Sequence, residues 1–203
     1  MPCPAAGAEP RASGVEQHGA PRGQPLGERV EISGRMLDAA GEPLPDGLLE
    51  LWQANAAGYY RDPAAASVSA ASAGALDRAF FGFGRAATAE DGSFRFRTIR
   101  PGRVPFAPLA AYGSGAEVLS SLRQAPHIAV NVLGRGLLKR LMTRIYFADE
   151  PSNADDPILK RVPEARRETL LARRLEGAAN DAIARYHFDI HLQGARETVF
   201  FEC

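Results

Sequence analysis

A strand followed by a loop is predicted for the stretch Asp46-Gly-Leu-Leu-Glu-Leu-Trp-Gln-Ala-Asn-Ala-Ala-Gly-Tyr-Tyr60. Leu49, Leu51 and the sole tryptophan, Trp52, mark the strand, and Gly58 precedes two tyrosines in the loop. Paired loop tyrosines commonly pack or form interfaces. A tyrosine can also bind ferric iron as a phenolate, because the charge of the ion lowers its pKa. The stretch itself does not choose between these roles.

Similar alternation of apolar and polar residues recurs along most of the chain. It predicts further strands that contain Val30, Ile32 and Met36, then Phe94 and Phe96, and the segments 126–133, 140–147, 186–193 and 197–201. About seven short strands separated by turns and long loops predict an all-β sandwich of mostly antiparallel strands. One segment, 163–174, has proline first, glutamate early and arginine late, so it predicts a short surface helix.

The chain divides into a tail and one domain. Residues 1–27 are rich in Pro, Gly, Ala and Arg and have few large apolar groups, so they predict an arm that is disordered or ordered by a partner. Residues 28–203 are long enough for one domain with a sizeable core.

Bulk composition excludes several classes of function. Lys+Arg and Asp+Glu number 24 each, so nothing suggests a nucleic-acid partner. No apolar run approaches the roughly 20 residues that span a bilayer, and no signal peptide is visible, so we expect no membrane association and a cytoplasmic location. The two cysteines, Cys3 and Cys203, lie in no spaced motif and predict neither a disulfide framework nor a thiolate metal site.

Two histidine-containing stretches are candidates for metal binding. His187, Asp189 and His191 alternate on a predicted strand, with Phe188 and Ile190 directed to the core. Two His and one carboxylate form a common ferrous ligand set. Alternate strand residues stand roughly 6.5–7 Å apart, however, so a solvated polar face is the competing interpretation.

His127 begins an apolar strand in Pro126-His-Ile-Ala-Val-Asn-Val132. A single histidine in such a place is commonly a hydrogen-bonded structural residue. A residual metal contact or a role at an interface remains the alternative.

Several segments together resemble the intradiol ring-cleavage dioxygenases. They are Gly27–Arg35, Leu49–Gly58, Phe94–Gly102, Arg140–Phe147 and Pro157–Leu159. Arg166–Arg174 and Glu197–Phe201 are similar to the alpha chains of the protocatechuate 3,4-dioxygenases within that family. The resemblance runs in order from about Gly27 to the C-terminus. It implies a β-sandwich whose ferric iron is held by two tyrosines and two histidines.

Matching the family's ligand motifs to this sequence leaves the iron site incomplete. Tyr60 and His127 match one tyrosine and one histidine, whereas Val104 and Ala129 stand at the other tyrosine and the other histidine. Gln124 stands where the family has a catalytic arginine. Because ferric iron prefers oxygen and imidazole donors, the resemblance implies a vestigial site with no metal in this chain.

The resemblance therefore implies a hetero-oligomer. A catalytic beta subunit is expected to hold Fe(3+) and to cleave protocatechuate, an aromatic diol, with O2 to 3-carboxy-cis,cis-muconate in the β-ketoadipate pathway. This chain would support the structure and line the mouth of the substrate site. Arg135 is the candidate contact for a substrate carboxylate, and an ordinary turn arginine is its alternative.

Two other functions remain open. The chain could be a stand-alone β-sandwich binding or scaffold protein derived from the family. It could also be an autonomous metalloenzyme that uses His187, Asp189 and His191.

Overall fold

A computed structural model describes residues 23–61, 77–106, 122–177 and 182–202, together with the two-residue strand Ser13–Gly14. The predicted arm, 1–27, lies outside the described residues apart from Ser13–Gly14 and 23–27. The strands are β1 (Ser13–Gly14), β2 (Arg29–Leu37), β3 (Leu48–Gln53), β4 (Phe83–Ala87), β5 (Ser93–Ile99), β6 (Val104–Pro105), β7 (Arg123–Gln124), β8 (His127–Leu133), β9 (Leu141–Phe147), β10 (Leu171–Arg174), β11 (Ala184–His187) and β12 (Ile190–His191). The predicted all-β class is confirmed.

Most strands join one hydrogen-bonded path in the order β1-β5-β2-β11-β10-β9-β8-β3-β4, and β12 pairs with β2. The antiparallel pairs β2–β5, β3–β8 and β8–β9 give the longest ladders. Strand β10 connects the two halves of the path, since it pairs with β11 on one side and with β9 on the other. The short strands β6 and β7 form a separate pair.

The core draws on both halves of this path. Ile32 of β2, Phe96 of β5, Leu51 of β3 and Ile128 of β8 are fully buried and belong to one apolar cluster. These residues follow the period-two alternation of their strands, which leaves polar neighbours on the opposite face.

Helices within the described ranges are short. They are 3-10 turns at Pro151–Asp155, Leu159–Arg161 and Glu168–Leu170, and one α-helix, α1, at Glu164–Arg167. None of them has the length and apolar character needed to cross a membrane.

The helix predicted over 163–174 is wrong in its C-terminal half. A helix forms at Glu164–Arg167, but Leu171–Arg174 is strand β10. Leu171 pairs with Tyr146 of β9, and Arg173 pairs with His187 of β11. The sheet hydrogen bonds and the burial of Ala172 outweigh the local helix signals.

The two C-terminal strand predictions also need correction. The segment 186–193 is divided between β11 and β12 because the backbone leaves the ladder at Phe188 and Asp189. At this break a side chain on Gly34 of β2 would overlap the carbonyl oxygen of Phe188. Segment 197–201 forms a single bridge, between Phe201 and Met142, rather than a strand.

Candidate active site

The side chains of Tyr60 and His127 meet on the face of β8 opposite the core residues Ile128 and Val130. The hydroxyl oxygen of Tyr60 lies 3.4 Å from Nε2 of His127. The loop that carries Tyr60 is held by Asn55, whose side-chain oxygen accepts hydrogen bonds from the amides of Ala57 and Tyr59, both at 3.0 Å. The Tyr60 ring also stacks on Trp52 of β3, with a centroid distance of 6.4 Å and an interplanar angle of 13°.

The protonation of His127 follows from its partners. Its Nδ1 lies 2.8 Å from the carbonyl oxygen of Ala125, and since a carbonyl can only accept, Nδ1 carries the hydrogen. Nε2 is therefore left with a lone pair directed at the Tyr60 hydroxyl. Burial, followed by the charge of Arg144, lowers the pKa of His127 from 6.5 to about 4. Burial raises the pKa of Tyr60, and the charge of Arg144 opposes that shift.

The other three predicted site residues surround this pair. Val104 of β6 is opposite Gln124 of β7 in the β6–β7 ladder and is buried. Ala129 follows His127 on the same face of β8, and its cross-strand neighbours are Trp52 on one side and Arg144 on the other. Gln124 and Ala129 are thus next to Arg144, whose charge acts on Tyr60 and His127, and Val104 is paired with Gln124.

Donor chemistry at these positions does not fit a ferric ion. The isopropyl group of Val104 and the methyl group of Ala129 offer no donor atom, so Tyr60 and His127 supply two of the four side-chain ligands that the family resemblance implies. The guanidinium of Arg144 also acts electrostatically on both remaining donors, where it opposes a nearby cation.

Arg144 is the site residue that the sequence interpretation missed. It lies at the centre of β9, where its Nη1 donates to Oε1 of Gln124 at 2.7 Å and to the hydroxyl of Tyr146 at 3.4 Å. Its guanidinium carbon also stands 5.8 Å from the ring centroid of Phe201. Arg144 is the one charged residue in the mostly apolar segment Leu141–Phe147, and this was the signal that could have revealed it.

Arg135 lies in an exposed turn. Its Nη2 is 2.9 Å from Oδ2 of Asp46, and the side chains are 83% and 64% exposed. A pair so exposed contributes little to stability and leaves the guanidinium accessible.

A cavity of about 480 Å³ is lined in part by His187, Asp189 and His191. Nε2 of His187 lies 3.0 Å from Oδ2 of Asp189, and Oδ1 of Asp189 accepts from the backbone amide of Arg35 at 2.9 Å. His191 is buried, and burial lowers its pKa. Within the ranges described above, no group of three or more His, Cys, Asp or Glu side chains is arranged to hold a metal ion.

Comparisons with known proteins agree with the fold and the motifs. A family profile described as Dioxygenase matches residues 4–194. The alpha chain of protocatechuate 3,4-dioxygenase from Pseudomonas putida is 38% identical over 179 residues, which cover 87% of this chain and 77% of that protein. The beta chain of the Burkholderia cepacia enzyme is 37% identical over 177 residues, covering 87% of this chain and 69% of that protein.

Solved structures give the same relationship. Catechol 1,2-dioxygenase from Acinetobacter superposes with a TM-score of 0.61 at 26% identity, covering 88% of this chain and 55% of that chain. The dioxygenase domain of a carbohydrate-binding fusion protein from Streptomyces superposes with a TM-score of 0.59 at 26% identity, covering 92% and 89%. The sequence motifs, the all-β fold and these relatives together place the chain in the family of intradiol ring-cleavage dioxygenases.

Proposed function

We propose that this chain is the non-catalytic, alpha-type subunit of a protocatechuate 3,4-dioxygenase. Its partner is a beta-type chain that holds the ferric iron and opens the ring of protocatechuate between the two hydroxyl-bearing carbons, with O2, to give 3-carboxy-cis,cis-muconate. We further propose that residues 28–203 belong to one domain and that the two halves of the strand path pack as a sandwich; the apolar cluster to which both halves contribute supports this.

The observation that carries the proposal is the missing donor atoms at Val104 and Ala129. Identity alone does not choose between the two kinds of subunit, since an alpha chain at 38% and a beta chain at 37% are almost equally similar. A chain that must hold ferric iron needs hard donors. A chain that only supports its partner can replace them with aliphatic groups.

Two further features support assembly with a partner. Trp52 is 43% exposed, although it is a large aromatic residue stacked on Tyr60 and lying 5.8 Å from the ring centroid of Phe83. The guanidinium carbon of Arg85 lies over the Phe83 ring, 5.4 Å from its centroid. Tryptophan, tyrosine and arginine are the residue types that dominate the binding energy of interfaces.

Co-expression tests this proposal. The chain is purified alone and together with a beta-type chain that carries two tyrosine and two histidine ligands. Iron content, the visible absorption of a tyrosinate–iron centre and ring-cleavage turnover are then measured. We expect one iron per pair of chains, with colour and turnover in the co-purified assembly and neither in this chain alone. Iron-dependent turnover by this chain alone would overturn the proposal.

The same experiment separates the alternative of a stand-alone binding or scaffold protein. That alternative predicts that the two chains do not co-purify and that this chain changes neither the yield nor the turnover of the beta-type chain. A stable assembly with raised turnover excludes it.

A further inference from the structure

One cavity next to the candidate active site is lined by both apolar and cationic side chains. It has a volume of about 640 Å³ and lies against Ala129 and Arg144. Its apolar walls come from Ile158, Val162, Val199 and Phe201, and Arg161 and the exposed Glu202 also line it. Volumes of roughly 300–1,000 Å³ with apolar walls and few polar groups are typical of sites for small organic ligands.

Glu202 lines the same cavity as Arg144 and Arg161, but neither arginine forms a direct ion pair among the described residues. Arg144 interacts with neutral groups, the amide of Gln124 and the hydroxyl of Tyr146. Through that hydroxyl it reaches Asp156, to which Tyr146 donates at 3.2 Å. Among the described residues, no carboxylate lies within ion-pair distance of Arg144 or Arg161, in contrast to the paired Arg85, Arg97 and Arg100.

We propose that this cavity, called here the Arg144 cavity, binds a small aromatic carboxylate without a metal ion. The guanidiniums of Arg144 and Arg161 supply positive charge and several N–H donors, which suit the two oxygens of a carboxylate. The apolar walls and the Phe201 ring supply a surface for an aromatic body. A free inorganic anion would interact with the two guanidiniums but not with the apolar walls. A neutral aromatic molecule would contact the apolar walls but would not interact with the charges.

Position 129 makes room for such a ligand. A larger side chain at Ala129 would project from the sheet between its cross-strand neighbours Trp52 and Arg144. Ala129 and Arg144 both line the cavity, and a methyl group fills less of it than a larger side chain would. The same small residue that removes a metal donor therefore opens space for an anion.

Titration calorimetry on the full chain, in the presence of a metal chelator, tests this inference. The probes are benzoate, the neutral isostere benzamide, and acetate, which has the charge without the ring. We expect saturable benzoate binding at one site, at least tenfold tighter than benzamide and acetate. Equal affinity for benzoate and benzamide, or no saturable benzoate binding at millimolar concentration, would overturn the inference.

Variants then locate the site. Arg144→Gln should weaken benzoate binding at least tenfold and Arg161→Gln severalfold. Arg35→Gln, which breaks an exposed ion pair with Asp91 and does not line the cavity, should leave benzoate binding within twofold. Arg161 is exposed, so the Arg161→Gln variant still tests the location of the benzoate site if Arg144→Gln fails to fold. Loss of the same size in all three variants would show non-specific attraction and contradict the proposed site. Neither iron nor turnover is read out, so a negative result leaves the subunit proposal untouched.

Discussion

Oε1 of Gln124 accepts a hydrogen bond of 2.7 Å from Nη1 of Arg144. The family resemblance implies an arginine used for catalysis at position 124, whereas this chain has a glutamine there, and the cation that contacts it is Arg144 of β9. The guanidinium there acts on Tyr60 and His127 from the side of Ala129. A positive charge therefore acts on both of the donors that remain at the site.

The pH dependence of stability should report the burial of His127. Its pKa is about 4 in the folded chain against 6.5 when unfolded, so between these values the unfolded state binds more protons. Stability that is fully present above pH 6.5 is then lost as pH falls toward 4, by up to about 3 kcal/mol from this group. Urea unfolding at pH 7.5, 6 and 5 measures the slope.

His127→Gln is the control for that slope, because it removes the titrating group at the same position. The variant should lose part of the stability decrease between pH 7.5 and 5, while the contributions of other groups remain. Identical pH slopes for the two proteins would contradict the assignment of the buried neutral imidazole.

A second prediction concerns Arg100, which connects three parts of the fold. It donates to the Tyr186 hydroxyl at 2.8 Å and to Glu150 at 3.1 Å, contacts Asp149 at 3.3 Å, and lies 4.8 Å from the centroid of Phe147. Burial would raise the pKa of Asp149, but hydrogen bonds and charge from Arg100 outweigh it and lower the pKa. Arg100→Met should cost about 2–3 kcal/mol of unfolding free energy, because Asp149 and Glu150, both half-buried, lose one of their charged or hydrogen-bonded partners.

Arg135→Met provides the matched comparison. It breaks an ion pair of similar length, 2.9 Å to Asp46, but with the arginine side chain 83% exposed. The unfolding free energy should change by less than about 0.5 kcal/mol. Denaturant unfolding of both variants at pH 7 checks the difference, and equal losses would show that the Arg100 network is no stronger than a surface pair.

The positions of the strands could be predicted from the local alternation of apolar and polar residues. Which residues meet at the site depends instead on the register in which the strands pair. Alternation in Arg29–Leu37 and Ser93–Ile99 was enough to predict β2 and β5, because one face of each strand is buried. Arg144 belongs to the site because β9 aligns it with Ala129 of β8, and this alignment is set by the loop and the packing between strands. The same kind of non-local pairing makes Leu171–Arg174 a strand despite its helix-favouring residues.

A third prediction tests the close approach of backbone segments at the break between β11 and β12. A Cβ at Gly34 would overlap the carbonyl of Phe188, a backbone group that cannot rotate away. Gly34→Ala should therefore cost more than about 4 kcal/mol or prevent folding. Gly136→Ala is the control: its φ is +88°, and its Cβ would meet nothing within 4 Å, so it carries only the conformational cost of about 1 kcal/mol. Thermal unfolding of both variants gives the comparison, and a mild loss at Gly34 would contradict the packing described here.

The last prediction asks whether restoring the missing donors recreates an iron site. Val104→Tyr and Ala129→His return the phenolate and the imidazole, but Ala129 is the cross-strand neighbour of Arg144, so the new ligand would lie beside a guanidinium. Charge repulsion should keep the double variant nearly free of iron. Adding Arg144→Gln removes that charge, and the triple variant should gain iron and a visible tyrosinate absorption.

Arg144→Gln alone serves as the control, since it lacks both added donors. Iron analysis after anaerobic loading and reoxidation measures each protein. Equal and substantial iron in the double and triple variants would show that the guanidinium does not oppose a metal at this site, and that the two absent donors are the sole obstacle. Iron in neither variant would contradict the prediction as well, because removing the charge would then not recreate the site.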